Sequence, residues 1–162
     1  MYQDTAMEAI PLGVIIMPFR TEDDVSVYAR NTYNMMAANV FELFGKVRGY
    51  YFYMEGIADG LGFGSNGVEL SIGISILDDY EDYSKPIEAY GFARFSYSWE
   101  EDMEERMPLP GLVLFLKDAC RVFCELHPEE TEKAQAALAK AVATVEKMQA
   151  AHLEWKKAHP EV

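Results

Sequence analysis

The sequence predicts an α+β fold: an N-terminal helix, a three- to four-stranded antiparallel β-meander, and a C-terminal αα-hairpin with a long last helix. Three observations carry this reading. Apolar residues recur every three or four positions over residues 22–44 and again over 112–159. Between those stretches the spacing shifts toward two and the residues become β-branched and aromatic, and Gly and Pro clusters fall at the junctions. The chain has 162 residues, half of them hydrophobic, which suits one domain (1–162) with one core.

Leu12 to Met17 (LGVIIM), bounded by Pro11 and Pro18, reads as a strand or a buried extended segment. Thr21 followed by Glu22, Asp23 and Asp24 reads as a helix start, because the hydroxyl caps free N–H groups and acids favour the positive end of the dipole. The first helix then runs from about Glu22 to Phe44, with Val25, Tyr28, Met35, Met36, Val40, Leu43 and Phe44 on its apolar positions and Gly45 or Gly49 ending it.

Tyr50–Ile57, Val68–Leu77 and Ile87–Trp99 are the expected strands. The second alternates Val68, Leu70, Ile72, Ile74 and Ile76 with smaller or polar residues. Their connections are the glycine-rich stretch Gly60–Gly67 and the acidic stretch Asp78–Pro86. A second acidic connection, Trp99–Met107, leads to the break Pro108-Leu109-Pro110-Gly111. Leu112–Leu126 and Pro128 to about His159 then form the hairpin, residues 112–159. The last helix carries Leu138, Val142, Val145, Met148, His152 and Trp155 at spacings of three and four. A helix of about 30 residues is about 45 Å long, longer than the core, so Leu138, Val142, Val145, Met148 and Trp155 are the candidate seam for a homodimer.

Fourteen Lys and Arg stand against 27 Asp and Glu, a net charge of −13. Such a field repels phosphate backbones and anionic membranes and attracts basic proteins. Direct nucleic-acid binding is therefore disfavoured. Cys120 and Cys124 lie four apart on a helix, poorly aimed for a bridge, which suits a reduced compartment. No charged and then apolar leader opens the chain, and runs such as Gly13 to Phe19 fall short of a membrane span, so a cytoplasmic location is expected.

Gly62, Gly64 and Gly67 match G-x-G-x-x-G. A dinucleotide fingerprint must open a helix, yet Val68-Glu69-Leu70-Ser71-Ile72 reads as a strand. A kinase loop needs a Val two residues past the last Gly, where Glu69 stands, and there is no V-A-I-K, H-R-D or D-F-G. The expected role is a turn, with Asn66-Gly67 as a hairpin dipeptide.

His127, His152 and His159 all fall in the C-terminal hairpin, so a triad has no histidine near the sheet. Cys120, Cys124 and His127 share a helical face, but no second Cys pair completes a zinc site, and buried cysteines filling a helix interface are the simpler reading. Asp78-Asp79-Tyr80-Glu81-Asp82 lacks the spacing and the Gly of a calcium loop. No catalytic residue, metal or cofactor is expected.

Acids dominate residues 78–105, ten against Lys85 and Arg94. Asp78, Asp79, Glu81, Asp82, Glu100, Glu101, Asp102, Glu104 and Glu105, interleaved with Tyr80, Tyr83 and Trp99, are the candidate partner-binding surface. The alternative is an ordinary solvated face. A small, acidic, tyrosine-rich chain without catalytic signatures is similar in size and charge to the DNA-mimicking inhibitors that phages and mobile elements use against nucleases, such as anti-CRISPR and antirestriction proteins. That similarity implies a non-enzymatic protein occupying the groove of a basic, nucleic-acid-handling partner. Two other readings stand beside it: a nucleotide or metabolite binder with a pocket between the helix bearing Met35 and Met36 and the sheet, roofed by the glycine loop, and an oligomeric structural protein.

Overall fold

The computed structural model describes residues 2–4, 19–65 and 67–161; Leu12–Met17 and Asn66 lie outside them. The capping residue is where the sequence places it. Thr21 precedes α1 (Glu22–Thr32), its hydroxyl accepting from the Asp24 N–H while the Asp24 carboxylate accepts from the Thr21 N–H at 3.1 Å.

The helix does not run on to Phe44. It breaks at Tyr33 and Asn34, both extended, and resumes as α2 (Met35–Leu43). Asn31-Thr32-Tyr33-Asn34 is a run of weak helix formers, and tertiary bonds favour the break. The Tyr33 hydroxyl donates to Asp118 at 2.6 Å, and the Glu105 carboxylate accepts from the N–H groups of Met36 and Ala37, both at 3.1 Å. Asn34 provides no side-chain cap and α2 has no acid in its first turn, so Glu105, from the sheet, terminates this helix. Glu105→Ala should cost about 1–3 kcal/mol, seen as a lower urea midpoint at unchanged slope, and Glu105→Gln less.

Tyr50–Ile57, expected as a strand, lies in α3 (Val47–Ala58). Tyr50, Tyr53, Met54 and Ile57 stand at i, i+3, i+4 and i+7 and all are buried, whereas a strand would face only alternate residues inward. The Tyr50 hydroxyl donates to the Ala134 carbonyl and its ring stacks on Phe123 at 4.1 Å. Packing overrides the aromatic preference for strands.

The antiparallel meander consists of β2 (Gly62–Ser65), β3 (Val68–Ser71), β4 (Phe92–Tyr97) and β5 (Glu100–Pro108), with β1 (Tyr2–Asp4) parallel along the outer side of β5. The glycine-rich stretch thus supplies a strand as well as a turn. The strand expected over Val68–Leu77 stops at Ser71, because Gly73 adopts φ 58° and the chain enters α4 (Ile74–Tyr80). A Cβ on Gly73 would stand 2.7 Å from the Gly60 carbonyl oxygen. Ile76 and Leu77 of this helix are both buried. β4 starts at Phe92, after a 3₁₀ turn at Ile87–Ala89. Trp99–Met107, expected as a connection, holds β5, the longest of the described strands.

The C-terminal hairpin pairs α5 (Leu109–Leu126) with α6 (Thr131–Ala158). Phe115 of α5 meets Tyr33, Phe41, Phe44 and Phe95 edge-on, at 5.1 to 6.1 Å, and so joins helices and sheet in one aromatic core. α6 buries Ala134, Ala141 and Val145, small side chains that let it lie close to α5 and α3. Of the candidate dimer seam, Val145 is fully buried within the chain and Leu138 and Met148 pack against the core. Val142 and Trp155 are half-buried, Trp155 stacking on His159 at 4.4 Å. Among the described residues, no helix is long and apolar enough to cross a membrane.

Candidate acidic interface

The sheet has one apolar and one charged face. Ala93 and Phe95 of β4 and Met107 of β5 point into the core, while Arg94, Ser96, Glu104 and Arg106 alternate onto the other side, next to Glu69 and Ser71 of β3. Arg94 and Arg106 are directly opposite each other across β4 and β5. Like charges in that position destabilise a sheet. Glu104 resolves the conflict: one carboxylate oxygen accepts from the Arg94 Nε, the other from the Arg106 Nε at 3.0 Å.

α4 covers this face with Tyr80, whose hydroxyl donates to Glu104 at 2.9 Å and accepts from Arg106 at 3.1 Å. The Arg94 guanidinium stands 5.3 Å from the centre of the Tyr80 ring, and a second carboxylate, Asp79, pairs with Arg94 at 3.2 Å. Burial alone would raise the Glu104 pKa, but hydrogen bonds from Arg94, Tyr80 and Arg106 outweigh it and hold the carboxyl below its ordinary value. Burial first, then the Glu104 carboxylate, pushes the Tyr80 phenol up to about 12.

Next to this network lies a polar cleft of about 450 Å³, lined by Glu69, Asp79, Tyr80, Glu81, Arg94, Ser96, Tyr97 and Ser98. At its Tyr97 and Ser98 side stands Trp99, 65 % exposed, stacked on Tyr97 at 4.7 Å and resting on Gly67. No protein-family model matches this chain. No curated protein or solved structure does either. The cleft must therefore be read from its chemistry.

The twelve candidate partner-binding residues divide by environment. Asp78, Glu81, Tyr83, Trp99 and Glu100 are exposed. Asp78 accepts from the Tyr83 hydroxyl at 2.8 Å, and this bond, more than the partial burial, raises the Tyr83 pKa. Asp82 accepts from the Ser84 hydroxyl and backbone, which lowers its pKa. Glu101 and Asp102 lie in the β5 backbone. Glu104 and Glu105 are buried on opposite faces of the sheet, one satisfying two arginines and the other capping α2, so neither belongs to an outward surface. Asp79 and Tyr80 serve the fold and border the cleft at once.

Sequence reasoning missed Glu69, Arg94, Ser96 and Arg106. Arg94, one of two cations against ten acids over residues 78–105, is the available signal, since a buried arginine requires carboxylate partners. The other expected constellations are engaged elsewhere. Cys120 and Cys124 face each other at 3.9 Å between sulfurs, while the His127 ring meets the Gly45 carbonyl at 3.1 Å. No group of three or more metal-binding side chains occurs among the described residues. Met36 is buried in the core and Met35 is exposed, and the glycine stretch borders a groove with α3 rather than a pocket under α2.

Proposed function

We propose that this chain is a non-enzymatic acidic binding protein that inhibits a basic, nucleic-acid-handling partner by occupying its binding groove, in the manner of anti-CRISPR and antirestriction inhibitors. The observation that supports it is the anchoring of α4. Arg94, Glu104, Arg106 and Tyr80 fix this helix on the sheet, so that Asp78, Glu81 and Asp82 at its end stand on a rigid base beside Glu69 and the exposed Trp99. A negative surface that is ordered before binding loses little entropy on association and competes directly with phosphates. The cleft accepts a lysine or arginine side chain between carboxylates, and Trp99 offers a ring face to a second cation.

The test captures partners from a bacterial lysate at low and high salt, then measures whether the chain displaces a labelled DNA duplex from the recovered protein. Asp78→Lys, Glu81→Lys and Glu100→Lys together should slow association by about tenfold or more, because exposed charges act mainly on encounter rate. Asp79 and Glu104 are left intact in this variant since they hold the fold. Unchanged displacement by the triple variant would overturn the reading, as would partners that bear no basic surface and stay bound at high salt.

A further inference from the structure

Among the described residues β2 is the edge of the sheet, and its pairing leaves a groove. Phe63–Leu70 and Ser65–Val68 are the hydrogen-bonded pairs of the β2–β3 hairpin, a register that the bond from Ile72 N–H to Leu61 C=O extends. Gly62 and Gly64 alternate with them, so their N–H and C=O groups point away from β3. At Gly62 that outer side is closed by α3: a Cβ on Gly56 would stand 2.5 Å from the Gly62 carbonyl oxygen. At Gly64 it opens into a groove of about 330 Å³ between β2 and the helix face carrying Phe52, Glu55 and Asp59.

Gly64 is the position that the fold does not explain. Gly60, Gly62, Gly67 and Gly73 all have positive φ, whereas Gly64 does not, and the nearest atoms to a Cβ there belong to the flexible Glu69 side chain, at 3.3 Å. A glycine inside a strand weakens it, and one without a conformational reason marks a place where another backbone comes close. The groove wall supplies two carboxylates, Glu55 and Asp59, and one aromatic ring, Phe52, which is 62 % exposed. No lysine or arginine lines it.

We infer that the β2 edge and the outer face of α3 form a docking groove for an extended segment of a basic partner, which adds a strand at Gly64 and lays a lysine or arginine along α3. Its backbone exchanges hydrogen bonds with the N–H and C=O of Gly64. The aliphatic stem of the basic side chain covers Phe52 and its charge reaches Glu55 and Asp59. The charge of the wall selects this occupant over an acidic or wholly apolar strand. The groove is separate from the acidic cleft and does not depend on it.

The experiment adds a blocked heptapeptide, Ser-Val-Thr-Lys-Val-Thr-Ser, to the isotope-labelled full chain and follows backbone amide signals and hydrogen exchange. The expected result is a shift of the Phe63 and Gly64 signals at up to millimolar peptide, with at least threefold slower exchange at Gly64. The same peptide with Glu in place of Lys should give neither. Gly64→Pro should abolish the effect while leaving the fold intact, because the lost N–H faces away from β3 and proline is tolerated on an edge. Glu55→Lys with Asp59→Lys on the exposed helix face should weaken binding at least tenfold. No perturbation of Gly64 at millimolar peptide, or equal binding by Gly64→Pro, overturns the inference. Perturbation confined to Glu69 and Glu81 also overturns it, and would then favour the cleft.

Discussion

Glu104→Ala should be among the most damaging single substitutions in the chain. It removes a carboxylate that accepts from Arg94, Arg106 and Tyr80 at once and leaves two guanidinium groups opposite each other in the sheet. Breaking a buried ion pair by deleting one partner costs about 3–5 kcal/mol, mostly the penalty of the charge left behind. Against a total stability of about 5–15 kcal/mol, that is a large share. The melting midpoint should fall by on the order of 10 °C. Glu104→Gln should be nearly as harmful, because its amide nitrogen sets a donor against a donor. Adding Arg106→Met to Glu104→Gln should restore part of the loss, since one of the two opposed charges is then gone. Restoration is the informative result: if the double variant is as unstable as the sum of its parts, the network is not what holds α4 to the sheet.

Glu104 and Tyr80 of this network, and Tyr28 beside Asp118, set a pH dependence at both ends of the scale. The Glu104 pKa is lowered in the folded chain. Its contribution is therefore fully present above the ordinary carboxylate range and is lost as pH falls from about 4.3 through the lower folded value. The phenols of Tyr28 and Tyr80 are both raised to about 12. Their contribution is fully present below about pH 10 and is lost as pH rises toward 12. In Glu104→Gln the acid limb should flatten and the Tyr28 part of the alkaline limb should persist.

How much of this was legible depended on the range of the interaction concerned. The Thr21 cap was legible because its bonds span three residues. The C-terminal hairpin was legible because its apolar spacing persists over two long helices. Tyr50–Ile57 is ambiguous in sequence because aromatic residues suit both a strand and a buried helix face; the i, i+3, i+4, i+7 spacing of Tyr50, Tyr53, Met54 and Ile57 is the feature that matches the helix. The strand Glu100–Pro108 is hidden because its buried acids, Glu104 and Glu105, depend on Arg94, Tyr80 and the end of α2, which are distant in sequence, as well as on Arg106 of the same strand. For the candidate site the same rule separates the exposed Asp78 and Glu81 from the buried Glu104 and Glu105. Charge gave the location of the acids but not which of them the fold consumes.

Asp118 is the other side chain the fold consumes, and the sequence marks it only as one of three charges, with Lys117 and Arg121, in the Val113–Val122 stretch of α5. One of its oxygens accepts from the hydroxyls of Tyr28 and Tyr33, each at 2.6 Å, and the other from Arg121 at 2.6 Å. It thereby ties α1, and the break that follows it, to α5. Asp118→Ala should cost about 3–5 kcal/mol by stranding two phenols and a guanidinium. Tyr28→Phe, which leaves the carboxylate its other partners, should cost about 1 kcal/mol. The two losses should not add, because alanine at 118 has already removed the acceptor of Tyr28. Amide exchange distinguishes this tether from a uniform loss of packing. In Asp118→Asn, which keeps the shape and loses the charge, the amides of Val25 to Ala29 should exchange faster than those of β4, since α1 can then open while the sheet stays closed. Equal acceleration in both elements would mean that Asp118 stabilises the whole core and that α1 has no opening of its own.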